Sequence, residues 1–198
     1  MDLSKKTRMR RLFILTLCSL LCVSLNWHRA IAQETDQIQW LSFEEAMSKM
    51  ETEKRKVLVD IYTDWCGWCK HMDKTTFSEE HIVKYINEKF YPVKFDAEQK
   101  ESIQVGDKIY KYVKGSGNQK GHHEFAMTIA MGQLTFPTIV FIDENIRVLQ
   151  PLPGFKDPYT FEMIMTYYGN DYFRQIPWSK YQKTYRPMIK TKPVLISD

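Results

Sequence analysis

Two cysteines, Cys66 and Cys69, separated by Gly67 and Trp68, are the residues of this chain best suited by type and spacing to do chemistry. A Cys-x-x-Cys pair can exchange two electrons by opening and closing a disulfide, with a thiolate as the nucleophile. The β-branched run Val57-Leu58-Val59-Asp60-Ile61-Tyr62-Thr63 precedes it and predicts a buried strand. Lys70 to Lys74 contain no Gly or Pro and can be helical. That order puts Cys66 at a helix start, where unpaired N–H groups and the positive end of the dipole favour thiolate over thiol. Cys69 falls three residues later on the same helical face, set back and placed to resolve a bond formed at Cys66.

Other uses of a cysteine pair fit less well. A staple across four residues stabilises by only about 2 kcal/mol on chain entropy. Zinc needs two further ligands, and only His71 is near. A c-type haem wants His directly after the second cysteine, where Lys70 stands. His122-His123-Glu124 is the other metal-like cluster, but adjacent side chains point apart and no further ligand set is visible. No metal is assigned, and the redox-active Cys66–Cys69 disulfide is expected to need no separate cofactor.

Several elements must position this pair. Ser42-Phe43-Glu44-Glu45 is a capping box, with Phe43, Ala46, Met47 and Met50 on one face of a helix running to about Lys54. Ile38 to Trp40 can form a short first strand. Ser78 is placed to cap a helix carrying Ile82, Val83, Ile86 and Phe90, and Tyr91 to Phe95 reads as a strand. Asp96 to Gly121 is rich in Lys, Gly and Gln and reads as a surface insertion, with a helical turn expected near Ile109 to Val113. It lacks the order of a phosphate loop. A helix over about Glu124 to Met131 follows, closed by Gly132-Gln133. Phe136 to Ile142 is a strand with Pro137 near its start, and Ile146 to Leu149 can return antiparallel. Asp157-Pro158 starts a helix bearing Phe161, Ile164, Met165 and Tyr168, which Gly169-Asn170 ends. Ile176 to Asp198 has three prolines and no clear period, and reads as an extended tail.

The 198 residues, 43% hydrophobic, suffice for one domain with a core. The net charge of +4 is segregated. Residues 1–32 hold six basic residues and one acid, leaving 22 basic and 23 acidic, a net of −1, in the rest. The basic balance therefore gives no argument for a nucleic-acid partner. Lys5 to Arg11, the apolar Leu12 to Leu25 and Ala30-Ile31-Ala32 fit a signal peptide cleaved after about Ala32, and predict an exported, periplasmic chain. The alternative is an uncleaved anchor, the one arrangement that would give a membrane contact. Cys18 and Cys22 fall in this leader, and the Leu before each disfavours a lipoprotein. Cleavage leaves a single dithiol, which in an oxidising compartment is not a disulfide framework.

Trp65-Cys66-Gly67-Trp68-Cys69-Lys70 resembles the W-C-G-P-C-K site of the thioredoxin family. The resemblance covers roughly residues 38–172. Asp60 matches the buried acid six positions before the first cysteine, Lys94 its basic partner, and Phe136-Pro137-Thr138 the cis-proline segment facing the dithiol. It implies an α/β thioredoxin-like fold, a central mixed β-sheet flanked by helices, with an insertion at about 97–121 before the cis-Pro strand. The domain is expected over 33–175, with 176–198 a tail. Trp68 in place of proline and the long insertion depart from the pattern and leave redox potential and substrate open.

The implied chemistry makes Cys66 the nucleophile, Cys69 the resolving thiol and Asp60 its proton acceptor. Trp65, Trp68, Phe136 and Pro137 form an apolar collar that binds substrate. Partners are protein disulfides and a thiol electron donor. Alternation turns Asp60 away from Val59 and Ile61, but the sequence does not say which face is buried. With no cation between the cysteines to stabilise a thiolate further, reduction or isomerisation is favoured over oxidation. The competing reading is a non-catalytic binding module whose insertion and tail hold a partner.

Overall fold

The computed structural model describes residues 37–117 and 120–188. The leader expected over 1–32, with Cys18 and Cys22, lies outside these residues, as does the end of the tail.

The core is a four-stranded sheet in the order β2-β1-β7-β8, formed by β1 (Lys56–Tyr62), β2 (Phe90–Asp96), β7 (Thr138–Ile142) and β8 (Val148–Pro153). β1 pairs parallel with β2 and antiparallel with β7, and β8 is antiparallel to β7. This is the mixed sheet that the family resemblance implied. β1 is central, and six of its seven residues are buried because both faces are covered.

Strand alternation divides the core. Val57, Val59 and Ile61 pack with Val140 and Ile142 against α1 (Phe43–Thr52) and α4 (Glu124–Ile129), through Phe43, Ala46, Met50, Phe125 and Ile129. Leu58, Ile139 and Phe141 face α2 (Gly67–Thr75), α3 (Glu80–Lys89) and α5 (Pro158–Gly169), through Met72, Ile82, Ile86, Phe161 and Met165. Alternation puts Asp60 on this second face, with Leu58 and under the helix that carries the dithiol.

Local signals explain the main helix starts. Ser42 Oγ accepts from the Glu45 N–H, and the Glu45 carboxylate accepts from the Ser42 N–H. Asp157 caps α5, with Pro158 as its first residue.

Five expectations are corrected. Ile38 to Trp40 forms no strand; backbone pairing with the sheet reduces to a single parallel bridge between Leu41 and Val93, while Ile38 and Trp40 pack as side chains against the core. Ser78 does not cap α3: its hydroxyl donates to the Lys74 carbonyl, and Glu79 at the cap position makes no side-chain cap bond. Phe90 begins β2 rather than completing the α3 stripe. The insertion has no helical turn near Ile109. It folds as a hairpin of β3 (Ile103–Val105) and β4 (Lys108–Tyr110), whose turn Gly106 makes at φ 60°, and as a pairing of β5 (Tyr112–Val113) with β6 (His122–His123). Finally, the C-terminal stretch is not wholly extended, since Trp178–Thr184 is a helix, α6.

α6 is fastened to α5. Tyr181 shares a 2.8 Å hydrogen bond with the Thr166 hydroxyl, and the Tyr185 hydroxyl donates to Glu162. Glu162 is buried, and also accepts from the Met188 N–H at 2.6 Å and lies 2.8 Å from His81 Nε2 on α3. Glu162→Ala leaves these donors unpartnered and is expected to cost about 3 kcal/mol. The check is a urea midpoint, with proteolysis after Lys180 or Lys183 accelerated in the variant.

His123 is fully buried and caps α4: its Nδ1 accepts from the Phe125 N–H at 3.2 Å, and Nε2 faces the Glu101 carbonyl at 3.1 Å. The cap needs a neutral ring. Burial pushes the His123 pKa below the usual imidazole value. A depressed folded value means that stability is complete above the unfolded pKa of about 6.5 and is lost as pH falls through the folded value. The thermal midpoint should therefore drop between pH 7 and 5. His123→Asn, which can still cap, should lower the midpoint at pH 7 but flatten that slope.

Candidate functional site

β1 ends at Tyr62, and a short turn returns the Cys66 N–H to the Thr63 carbonyl at 3.0 Å. The turn delivers Cys66 to the N-cap of α2, where its Sγ accepts from the Cys69 N–H at 3.0 Å. Cys66 and Cys69 are joined as a disulfide. The first turn of α2 contains no acidic side chain to offset the positive helix end. Both cysteines are buried, Cys66 at 5% and Cys69 at 3% exposure, so exposure does not separate an outward from an inward sulfur. Position does: Cys66 is the cap and Cys69 lies inside the first turn.

On the sheet face that α2 covers, Asp60 is 1% exposed, its Oδ2 lies 2.8 Å from Lys94 Nζ, and its Oδ1 has no hydrogen-bond partner among the described residues. Asp60 stands opposite Lys94 in the parallel register, so the pairing of β1 with β2 fixes this contact. Burial raises the Asp60 pKa, and Lys94 partly offsets it. Asp60 is thus not a solvated strand-end aspartate.

The aromatic residues form two groups beside the disulfide. Trp65, 53% exposed, meets Phe136 edge to face at 5.6 Å. Trp68, 62% exposed, lies 5.5 Å from Phe155 and 5.7 Å from His71. The Phe136–Pro137 bond is cis, and the Pro137 carbonyl accepts from the Gly154 N–H at 2.7 Å. That bond ties the loop carrying Phe155 to the proline.

Three residues here carry no mark in the sequence, and a fourth, His71, stands out there only as a lone candidate zinc ligand. Phe155 and His71 complete the Trp68 group. Glu98, which accepts from the Trp65 indole N–H at 3.1 Å, and Lys120, whose Nζ lies 3.8 Å above the Trp65 ring, come from the two ends of the insertion. The Gly before Phe155, at φ 81°, was the one available signal, since it marks a tight turn. His122 and His123 pair as a strand, and no cluster of His, Cys, Asp or Glu among the described residues could hold a metal ion. No helix among those residues is long and apolar enough to cross a membrane.

A mixed four-stranded sheet with a Cys-x-x-Cys capping the helix after a central strand that carries a buried acid, and with a cis-proline leading into the neighbouring strand, defines a thioredoxin-fold protein. The chain belongs to the Thioredox_DsbH family, described as a protein of unknown function (DUF255), whose family model matches residues 28–169. It is 24% identical over 134 residues to the thiol:disulfide interchange protein DsbD of Actinobacillus pleuropneumoniae, covering 64% of this chain and 19% of that protein. It is 28% identical over 74 residues to human spermatogenesis-associated protein 20, covering 37% of this chain and 9% of that one. The chain spans less than a fifth of the length of these curated relatives. Among solved structures, a thioredoxin-fold protein from Helicobacter pylori aligns with a TM-score of 0.51 at 17% identity, over 78% of this chain and 91% of that one, and supports the fold. The Cys66–Cys69 pair therefore sits in a disulfide-oxidoreductase fold related to DsbD.

Proposed function

We propose that this chain is an exported, periplasmic thiol–disulfide oxidoreductase that reduces or isomerises protein disulfides. The observation that carries the reading is the dithiol at the start of α2, on the sheet face that also holds the buried Asp60–Lys94 pair. Reduced Cys66, as thiolate, attacks one sulfur of a substrate disulfide and expels the other as a thiolate. Cys69 gives its proton to the Asp60 carboxylate and attacks the Cys66 sulfur. That step forms the Cys66–Cys69 disulfide and releases the second substrate thiolate, so two electrons have moved to the substrate. A thiol donor returns them, and no further cofactor takes part.

Trp65, Trp68, Phe136 and Pro137 hold the substrate. Its extended backbone adds beside the proline segment, where no hydrogen bond from the described residues uses the Phe136 N–H or C=O. Residues 1–32 are the leader, removed after about Ala32, and the membrane is touched only where that leader is retained. The domain over 33–175 carries the site, and 176–198, with its helix, is an appended segment rather than part of it. No nucleic acid is involved.

Cys69→Ser, produced with its leader, should accumulate mixed disulfides through Cys66 that resolve on a non-reducing gel and disappear with dithiothreitol. A variant that traps nothing above Cys66→Ser/Cys69→Ser favours the binding-module reading. The direction of flow is read from equilibrium with glutathione. A pair more reducing than glutathione is expected, and a more oxidising one makes the protein an oxidase.

A further inference from the structure

Lys94 does not serve Asp60 alone. Its Nζ is 2.8 Å from the Asp60 carboxylate and also bonds the Asp73 carboxylate, from one turn beyond Cys69 on α2. The rings of Trp40, Tyr62 and Phe77 surround the ammonium at 5.0, 5.3 and 5.6 Å. They fix where the ammonium sits and shield it from water. The trio meets solvent at a groove of about 470 Å³ that Asp73 and Lys94 line with Trp40, Phe77 and Ser78, and Asp73, its side chain 41% exposed, is the more open of the two. One cation is thus divided between two carboxylates, a buried one and an open one.

We propose that Asp73 is a positioning residue for the Cys69 step, acting through Lys94: by sharing the ammonium it prevents that cation from neutralising Asp60 in full. This rests on Asp60 being the proton acceptor of Cys69. A carboxylate clamped by an undivided buried cation would be a poor base, because the cation stabilises its ionised form. Asp73 supplies the opposing charge and draws the ammonium toward the groove. The directions agree: burial raises the Asp60 pKa, Lys94 lowers it and Asp73 raises it. Lys94 is destabilised by burial, but Asp60 and Asp73 outweigh that and hold it above the ordinary lysine value. The titratable neighbours on the packed elements are Tyr62 on β1, Lys94 on β2 and Asp73 on α2. Across the antiparallel pairing, β7 presents Ile139.

The test uses the reduced protein and the chromogenic disulfide 5,5′-dithiobis(2-nitrobenzoate). Attack by Cys66 releases one coloured thiolate, and resolution by Cys69 releases a second, so the two steps are seen separately. In Asp73→Asn the acid limb of the second release should move down by about one pH unit, and its plateau should fall about threefold, as for a weaker base. The first release should not move. In a Lys94→Met background, adding Asp73→Asn should shift the limb much less, leaving only the direct repulsion between the two carboxylates. An unmoved limb in Asp73→Asn, or a shift of undiminished size without Lys94, overturns the proposal. Near-ultraviolet circular dichroism checks that the fold is kept. If Asp60→Asn leaves the second release unchanged, the role of Asp60 itself fails. If Asp60→Asn abolishes it and Asp73→Asn leaves it alone, only the inference about Asp73 fails.

Discussion

Cys66→Ser is expected to reduce insulin precipitation in the presence of dithiothreitol to the rate without protein. The reason is local. Cys66 is the cap of α2, so a thiolate there meets the helix N-terminus and the Cys69 N–H that its sulfur already accepts in the oxidised form. A serine hydroxyl at that position keeps the cap but has no accessible anion and cannot form the mixed disulfide. Cys69→Ser should behave differently: its first attack proceeds and its turnover stops. Insulin precipitation by Cys66→Ser equal to that of the wild type would show that the dithiol is incidental. A thiol at Cys66 no more acidic than free cysteine, titrated by absorbance at 240 nm, would remove the role given to the helix tip.

Lys94→Met should be the most damaging single change to stability at neutral pH, lowering it by about 3 to 5 kcal/mol. Asp60 is held inside the sheet with one oxygen on Lys94 and the other unpartnered, so removing the cation leaves a buried anion with nothing to balance it. The sign of the pH dependence follows from burial. The folded Asp60 pKa is already raised, so stability linked to this group is complete below the unfolded value of about 3.9 and is lost as pH rises through the folded value. Without Lys94 the folded value climbs further and the loss deepens. Urea midpoints for Lys94→Met should fall more steeply between pH 5 and 8 than those of the wild type. Asp60→Asn/Lys94→Met, with no charge to bury at this pair, should lose that fall and keep only the His123-linked rise from pH 5 to 7. A single variant with the same pH profile as the double would mean that water reaches Asp60 freely.

Much of this arrangement was legible in the chain itself. β1 is a long apolar run, and its match to a buried strand followed by a helical dithiol needed no distant information. The Ser42–Glu45 box and the Asp157-Pro158 start are local devices that tertiary contacts had no reason to override. Ser78 shows the limit, because a good capping residue spent its hydroxyl on the Lys74 carbonyl instead. The insertion was misread because strands of two and three residues are too short to show a period. In the C-terminal segment the prolines hid a signal: Trp178, Tyr181 and Tyr185 lie at i, i+3 and i+7, and Pro177 merely precedes the helix. Phe155 and Asp73 could not be found from spacing, since what makes them neighbours of the site is a loop tied to Pro137 and a lysine from β2.

The bond between the Gly154 N–H and the Pro137 carbonyl has one more consequence. With that acceptor engaged and no N–H on Pro137, an incoming strand finds on this segment the Phe136 N–H and C=O, one donor and one acceptor that no described residue uses. Two such bonds hold by about 2 kcal/mol, which alone corresponds to a dissociation constant of roughly tens of millimolar. A weak handle of this kind lets the covalent sulfur link decide how long each client stays, so departure follows as soon as Cys69 severs it.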